Sequence, residues 1–187
     1  MRLLILLLCM MLTSCSTLSS GTTEDDTITL SVPTVFTPST KSAWANVIQT
    51  IEQTKAKTIV LLWEGRGGWF IIGEPVKRAL RKVRAEGKTV ILKITGPALS
   101  LHAYMACEAS RIEYTDNGVL MFHVAGDVST GEILESREAI AEVYDMLMVC
   151  HKKGILSIDD MSVIISIHEL WLYPNGTREV SPDRRLR

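Results

Sequence analysis

Apolar positions follow two rhythms along the chain. Thr27 to Val32, Lys57 to Trp63 (KTIVLLW) and Lys88 to Ile94 (KTVILKI) are short β-branched and aliphatic runs, the pattern of strands buried on both faces. Between them the spacing becomes helical. Ser42 to Thr54 carries Trp44, Val47, Ile48 and Ile51 at i, i+3, i+4 and i+7, and Gly73 to Glu86 carries Val76, Ala79, Leu80 and Val83. Gly87 stops that helix, Thr95-Gly96-Pro97 is expected to turn the chain, and a helix is expected from Ser100 to Ala109. Arg111 to Tyr114 and Val119 to Phe122 are short strands, and a long helix is expected from Gly131 to Lys153. Ser157 with Asp160 caps a further helix to about His168. Leu170 to Tyr173 and Thr177 to Val180 flank Pro174-Asn175-Gly176 as a closing hairpin. Strands alternating with helices at this pitch predict an α/β domain with right-handed crossovers and a largely parallel sheet.

The first residues break this pattern. Met1-Arg2 is followed by ten uninterrupted apolar residues, Leu3 to Leu12, and then Thr13-Ser14-Cys15. Ten helical residues reach about 15 Å, roughly half a bilayer core, so the run predicts a cleaved signal peptide rather than a spanning helix. Leu12-Thr13-Ser14-Cys15 resembles the bacterial lipobox, which implies lipidation of Cys15 and a lipid anchor in the membrane. Ser16 after the cysteine resembles the sorting pattern of the outer membrane, so the periplasmic face of that membrane is the expected location. The expected organisation is a signal peptide over residues 1–14, a lipidated polar tether over 15–26 and one domain over 27–187.

Composition narrows the function classes. The 187 residues are 47 % hydrophobic and 22 % charged, enough apolar residues for one packed core. Twenty basic against twenty-one acidic residues provide no field for nucleic acid, and no stacked-aromatic RNA motif is present. The basic face Lys77, Arg78, Arg81, Lys82 and Arg84 is read as solvated. The four histidines, His102, His123, His151 and His168, fall in no metal-ligand spacing, and no phosphate-cradling loop occurs, so no metal or cofactor is expected. Of the cysteines outside the signal peptide and anchor, Cys107 and Cys150 are equally compatible with a disulfide and with buried thiols.

Three segments end where functional groups gather in open α/β sheets, just past the carboxyl ends of strands: Gly67-Gly68, Ser100 and His123. They supply a hydroxyl, a base to take its proton, and glycines that let backbone N–H groups approach an oxyanion. A serine opening a helix is also an ordinary N-cap.

These segments resemble the proteolytic subunit of Clp protease, within the Clp/crotonase superfamily. Gly65-Arg66-Gly67-Gly68 is similar to the family's strand-ending Ser-Pro-Gly-Gly. Gly96-Pro97-Ala98-Leu99-Ser100-Leu101-His102-Ala103 is similar to its Gly-x-Ala-x-Ser-x-x-Ala, and Val119 to His123 to its apolar strand ending in histidine. The resemblance implies a single domain of stacked ββα units, with Ser100 as nucleophile, His123 as general base, and the Gly68 and Leu101 N–H groups as oxyanion hole. The family's orienting Asp would fall at Ile164 or Ile165, which leaves His168 and Glu169 as candidates for the third member. Gly96 to Ile112 is also similar to signal peptide peptidase, whose base is a lysine; Lys152 or Lys153 would take that role. His102 stands where the family often has a small residue. The implied activity is an envelope-anchored serine peptidase acting through an acyl-enzyme on peptide or protein substrates, with a homo-oligomer expected through residues 132–153. The alternative is a catalytically degenerate lipoprotein that keeps the fold for binding or assembly.

Overall fold

A computed structural model of the protein describes residues 26–124, 137–166 and 168–182. The signal peptide, Cys15, nearly all of the tether and the start of the long helix lie outside these residues. Among them the chain forms a seven-stranded sheet in the order β1 (Thr27–Ser31), β2 (Thr58–Gly65), β3 (Thr89–Leu99), β5 (Val119–Phe122), β6 (His168–Leu172) and β7 (Arg178–Pro182). The remaining strand, β4 (Arg111–Tyr114), pairs with the first half of β3. The strands through β5 are mutually parallel, whereas β6 and β7 run antiparallel. Five α-helices are described, α1 (Lys41–Gln53), α2 (Phe70–Ala85), α3 (Leu101–Ala106), α4 (Arg137–Lys152) and α5 (Ile158–Ile165), with a 3-10 turn at Pro38–Thr40 leading into α1.

The expected helical stripes form the core. Trp44 and Ile51 of α1, and Val76, Ala79, Leu80 and Val83 of α2, are buried against Ile59, Leu61 and Trp63 of β2 and Val90, Leu92 and Ile94 of β3. The outer face of α2 is ion-paired: Lys77 and Arg78 with Glu74, Lys82 with Glu52 at 3.2 Å, and Arg81 with Glu108.

Three expectations are corrected. Thr95-Gly96-Pro97 does not turn the chain, because β3 changes partner there: Ile91–Ile94 pairs with β4 and Pro97–Leu99 with β5, so the strand runs on to Leu99. The helix after Ser100 ends at Ala106, not Ala109. The helix capped by Ser157 and Asp160 ends at Ile165, and His168 opens β6 instead, so that strand covers the exposed edge of β5. The capping box itself is formed, with the Ser157 and Asp160 side chains each accepting from the other's backbone N–H. Cys107 and Cys150 form a disulfide that ties the end of α3 to α4.

Candidate active site

The site is built where β2, β3 and β5 end together. Gly65 pairs with Ala98 and Leu99 with Met121, and the Ser100 N–H donates to the Met121 carbonyl at 2.8 Å. These bonds bring the segments that carry Gly67-Gly68, Ser100 and His123 together at the carboxyl ends of β2, β3 and β5. Ser100 is the only described residue other than glycine with positive φ, at 56°. Backbone of this kind costs of order 1–3 kcal/mol and persists only when its surroundings impose it. Ser100 opens α3, yet its hydroxyl makes no capping bond, so the ordinary N-cap role is not the one it plays.

The glycine turn is pressed against the serine. A Cβ on Gly67 would lie 2.7 Å from Ser100 Cβ and 3.0 Å from the Leu101 nitrogen, so nothing larger than glycine fits there. On its other side the turn adds a strand-like bridge to the segment 33–36: Phe36 N–H donates to Gly67 O at 2.8 Å and Trp69 N–H to Phe36 O at 2.7 Å. In a parallel bridge of that form the Gly68 N–H is directed away from Phe36. The Leu101 N–H is in the first turn of α3, where it has no carbonyl of its own helix to bond.

His123 follows β5. Its backbone carbonyl accepts from the Tyr104 hydroxyl at 2.7 Å, and both ring nitrogens are buried. The β5–β6 register pairs Phe122 with Leu170, and continued by one residue it sets Glu169 opposite His123. Glu169 is 5 % exposed, and its Oε2 accepts from Trp171 Nε1 and from Ser181 Oγ, each at 3.2 Å. His168 is the neighbouring residue of β6 and so points to the other face of the strand. Ile164 and Ile165 lie in α5 and carry no orienting group. The lysines stand apart: Lys153 donates to the Ala109 carbonyl, near the disulfide at the far end of α3 from Ser100. Burial and the nearby Arg84 push the Lys153 ammonium below its ordinary pKa.

A cleft of about 700 Å³ is lined by Thr34, Val35, Glu64, Gly65, Arg66, Pro97 and Leu99, of which Arg66 and Leu99 are the chain neighbours of Gly67 and Ser100. Among the described residues no cluster of His, Cys, Asp and Glu could hold a metal ion, and no helix is long and apolar enough to cross a membrane.

No family model matches the sequence, and no curated protein does. Solved structures do. The ClpP1 N-to-D mutant from Listeria monocytogenes superposes with a TM-score of 0.59 over 79 % of this chain and 84 % of that one, at 15 % identity. The fold is Clp protease-like. A membrane-bound stomatin-specific protease, 1510-N, gives a TM-score of 0.57 over 80 % of this chain and 72 % of that one. A second mutant of that protease, in complex with a substrate peptide, gives 0.53 over 80 % and 68 %; both are 16 % identical to this chain. In this Clp protease-like frame, the features invisible to motif reading are the segment 33–36, which pairs with the glycine turn, and the Phe36, Trp44, Trp63 and His102 rings behind it. The signal available was the aromatic density of residues 36–63 and a histidine two positions after the serine.

Proposed function

We propose that the protein is a serine peptidase of the cell envelope, anchored through Cys15, with Ser100 as nucleophile, His123 as base and Glu169 as the carboxylate that orients it. The observation that carries this reading is Ser100 itself. It has strained backbone and a hydroxyl unused by its helix, and it is wedged between the Gly67-Gly68 turn and the strand that ends in His123. The Ser100 hydroxyl attacks the scissile carbonyl while His123 takes its proton. The Gly68 and Leu101 N–H groups hold the oxyanion, and His123 returns the proton to the leaving amine. Water then repeats the sequence to release the acyl group. Glu169 is preferred to His168 because extending the β5–β6 register one residue past Phe122–Leu170 would bring it opposite His123, and because it is a buried carboxylate. The cleft lined by Arg66 and Leu99 suits an extended peptide. The peptide bound to one structural neighbour, and the name of the 1510-N neighbours as a protease, support a peptide substrate.

The Cys107–Cys150 disulfide supports an oxidising compartment, in keeping with the lipobox-like segment and the periplasmic face of the outer membrane. Ile140 and Tyr144 of α4 are 53 % and 48 % exposed, while Val143 and Leu147 on the same helix are buried. That second apolar face supports a homo-oligomer.

The test is hydrolysis of fluorescently labelled unfolded casein by the full-length chain in detergent. Turnover by the wild type and none by Ser100→Ala supports the reading. A folded wild type without turnover, matching Ser100→Ala, contradicts it and favours the binding or assembly alternative.

A further inference from the structure

Resting on that reading, we infer that His102 is a positioning residue for the oxyanion hole, a neutral imidazole that fixes the glycine turn by holding the N–H group the reaction must not use. Two consecutive glycine amides lie near Ser100, and the bridge to Phe36 leaves the Gly68 N–H directed away from that segment. The Gly67 N–H donates to His102 Nδ1 at 3.1 Å. An Nδ1 that accepts must be unprotonated, so the proton of the neutral ring is on Nε2, which donates to the Pro33 carbonyl at 3.2 Å. One ring thus ties together the two strands of the bridge that presents Gly68, the turn on one side and the segment 33–36 on the other.

The ring is itself immobilised. His102 is fully buried, with ring centroids of Phe36 at 4.5 Å, Trp63 at 5.1 Å and Trp44 at 6.0 Å, and Trp63 Nε1–H donates to the His102 carbonyl at 2.9 Å. The groups packed against it from the segment 33–36, α1 and β2 are aromatic rings and backbone, with no charge among them. Burial pushes its pKa down to about 4, so the neutral form persists through the ordinary working range. His102 also lies one residue beyond Leu101, whose N–H is the other donor proposed for the oxyanion. It therefore couples both donors: its backbone continues from one, and its side chain sets the turn that carries the other. The end of β2 is packed just as closely on the ring, since a Cβ at Gly65 would approach His102 Nε2 to 2.6 Å.

The experiment has a spectroscopic arm and a kinetic arm, both on the full-length chain in detergent. In ¹⁵N-labelled wild type, a through-hydrogen-bond coupling between the Gly67 amide nitrogen and His102 Nδ1, with the Nε2-protonated tautomer, is expected. An Nδ1-protonated ring without that coupling overturns the inference. In the kinetic arm a fluorophosphonate probe labels Ser100. His102→Leu keeps the bulk and removes the acceptor, and it is expected to lower the maximal labelling rate roughly ten- to a hundredfold with the probe's half-saturating concentration unchanged. His102→Asn, whose side-chain oxygen can accept from Gly67, is expected to recover most of that loss. A His102→Leu protein that melts earlier but labels at the wild-type rate overturns the inference and leaves the peptidase reading intact. Absence of label on wild-type Ser100 overturns the peptidase reading itself.

Discussion

The two sides of the proposed site are held in different ways. The nucleophile side is over-determined: Ser100 is fixed by a strand bond to Met121, by the close approach of Gly67, and through His102 by a cluster of buried rings. The base side rests on strand pairing, with β6 laid against β5 just before His123, and on the Tyr104 hydroxyl, which donates to the His123 carbonyl at 2.7 Å. Strain at Ser100 needs rigid surroundings, whereas a base that accepts and returns a proton needs only orientation. Among the described residues a cluster of buried rings thus backs the glycine turn, whereas a β-ladder and the Tyr104 hydroxyl support the segment that carries the histidine.

Perturbing each side separately sharpens this contrast. The largest expected effect is on chemistry from the base side: His123→Ala should lower the rate of fluorophosphonate labelling by about 10²- to 10⁴-fold, with the melting temperature little changed. On the nucleophile side stability should fall together with reactivity. Trp63 is completely buried and bonded to the His102 carbonyl. Trp63→Ala should cost about 3–5 kcal/mol in denaturant unfolding, with reactivity lost as the turn loosens.

Acidification should reach the nucleophile side next. The folded His102 pKa is about 4 against an ordinary 6.5, so between those values the unfolded chain binds a proton that the folded chain does not. Stability contributed by the neutral ring is complete above about pH 6.5, falls as pH falls, and levels off below about pH 4, a change of about 3 kcal/mol. Comparing urea midpoints over that range should show this component in the wild type and not in His102→Leu. The smallest effects separate the two candidates for the third member. Glu169→Gln should slow labelling roughly ten- to a hundredfold by releasing the imidazole's orientation, while His168→Ala, on the other face of β6, should change it less than about twofold. Equal effects of the two would break the assignment.

The sequence carried most of the architecture and the nucleophile side's chemistry, because periodicity marks helices and buried strands and because glycine next to a strand end has few structural alternatives. Ser100, Gly67 and Gly68 were legible in that way. Three things were not. Pro97 suggested a turn, but a strand that trades one partner for another needs no turn, and only the pairing of β4 and β5 with β3 reveals the exchange. Glu169 was named only as one of two neighbours, since helical periodicity carried the preceding helix to His168. Once the helix ends at Ile165, the alternation of β6 distinguishes the two faces that a helix would have mixed. His102 stands where the family often has a small residue, and nothing local in the sequence shows that its side chain lies behind the glycine turn among aromatic rings contributed from three distant segments.

The central claim is that Ser100 is an activated nucleophile. Its most direct test is peptide-mapping mass spectrometry of the full-length protein after exposure to a fluorophosphonate. The account predicts one phosphonyl adduct, on Ser100, formed in the wild type and absent from Ser100→Ala. A folded wild type that remains unmodified after prolonged exposure, or that carries the adduct on another residue, would contradict it.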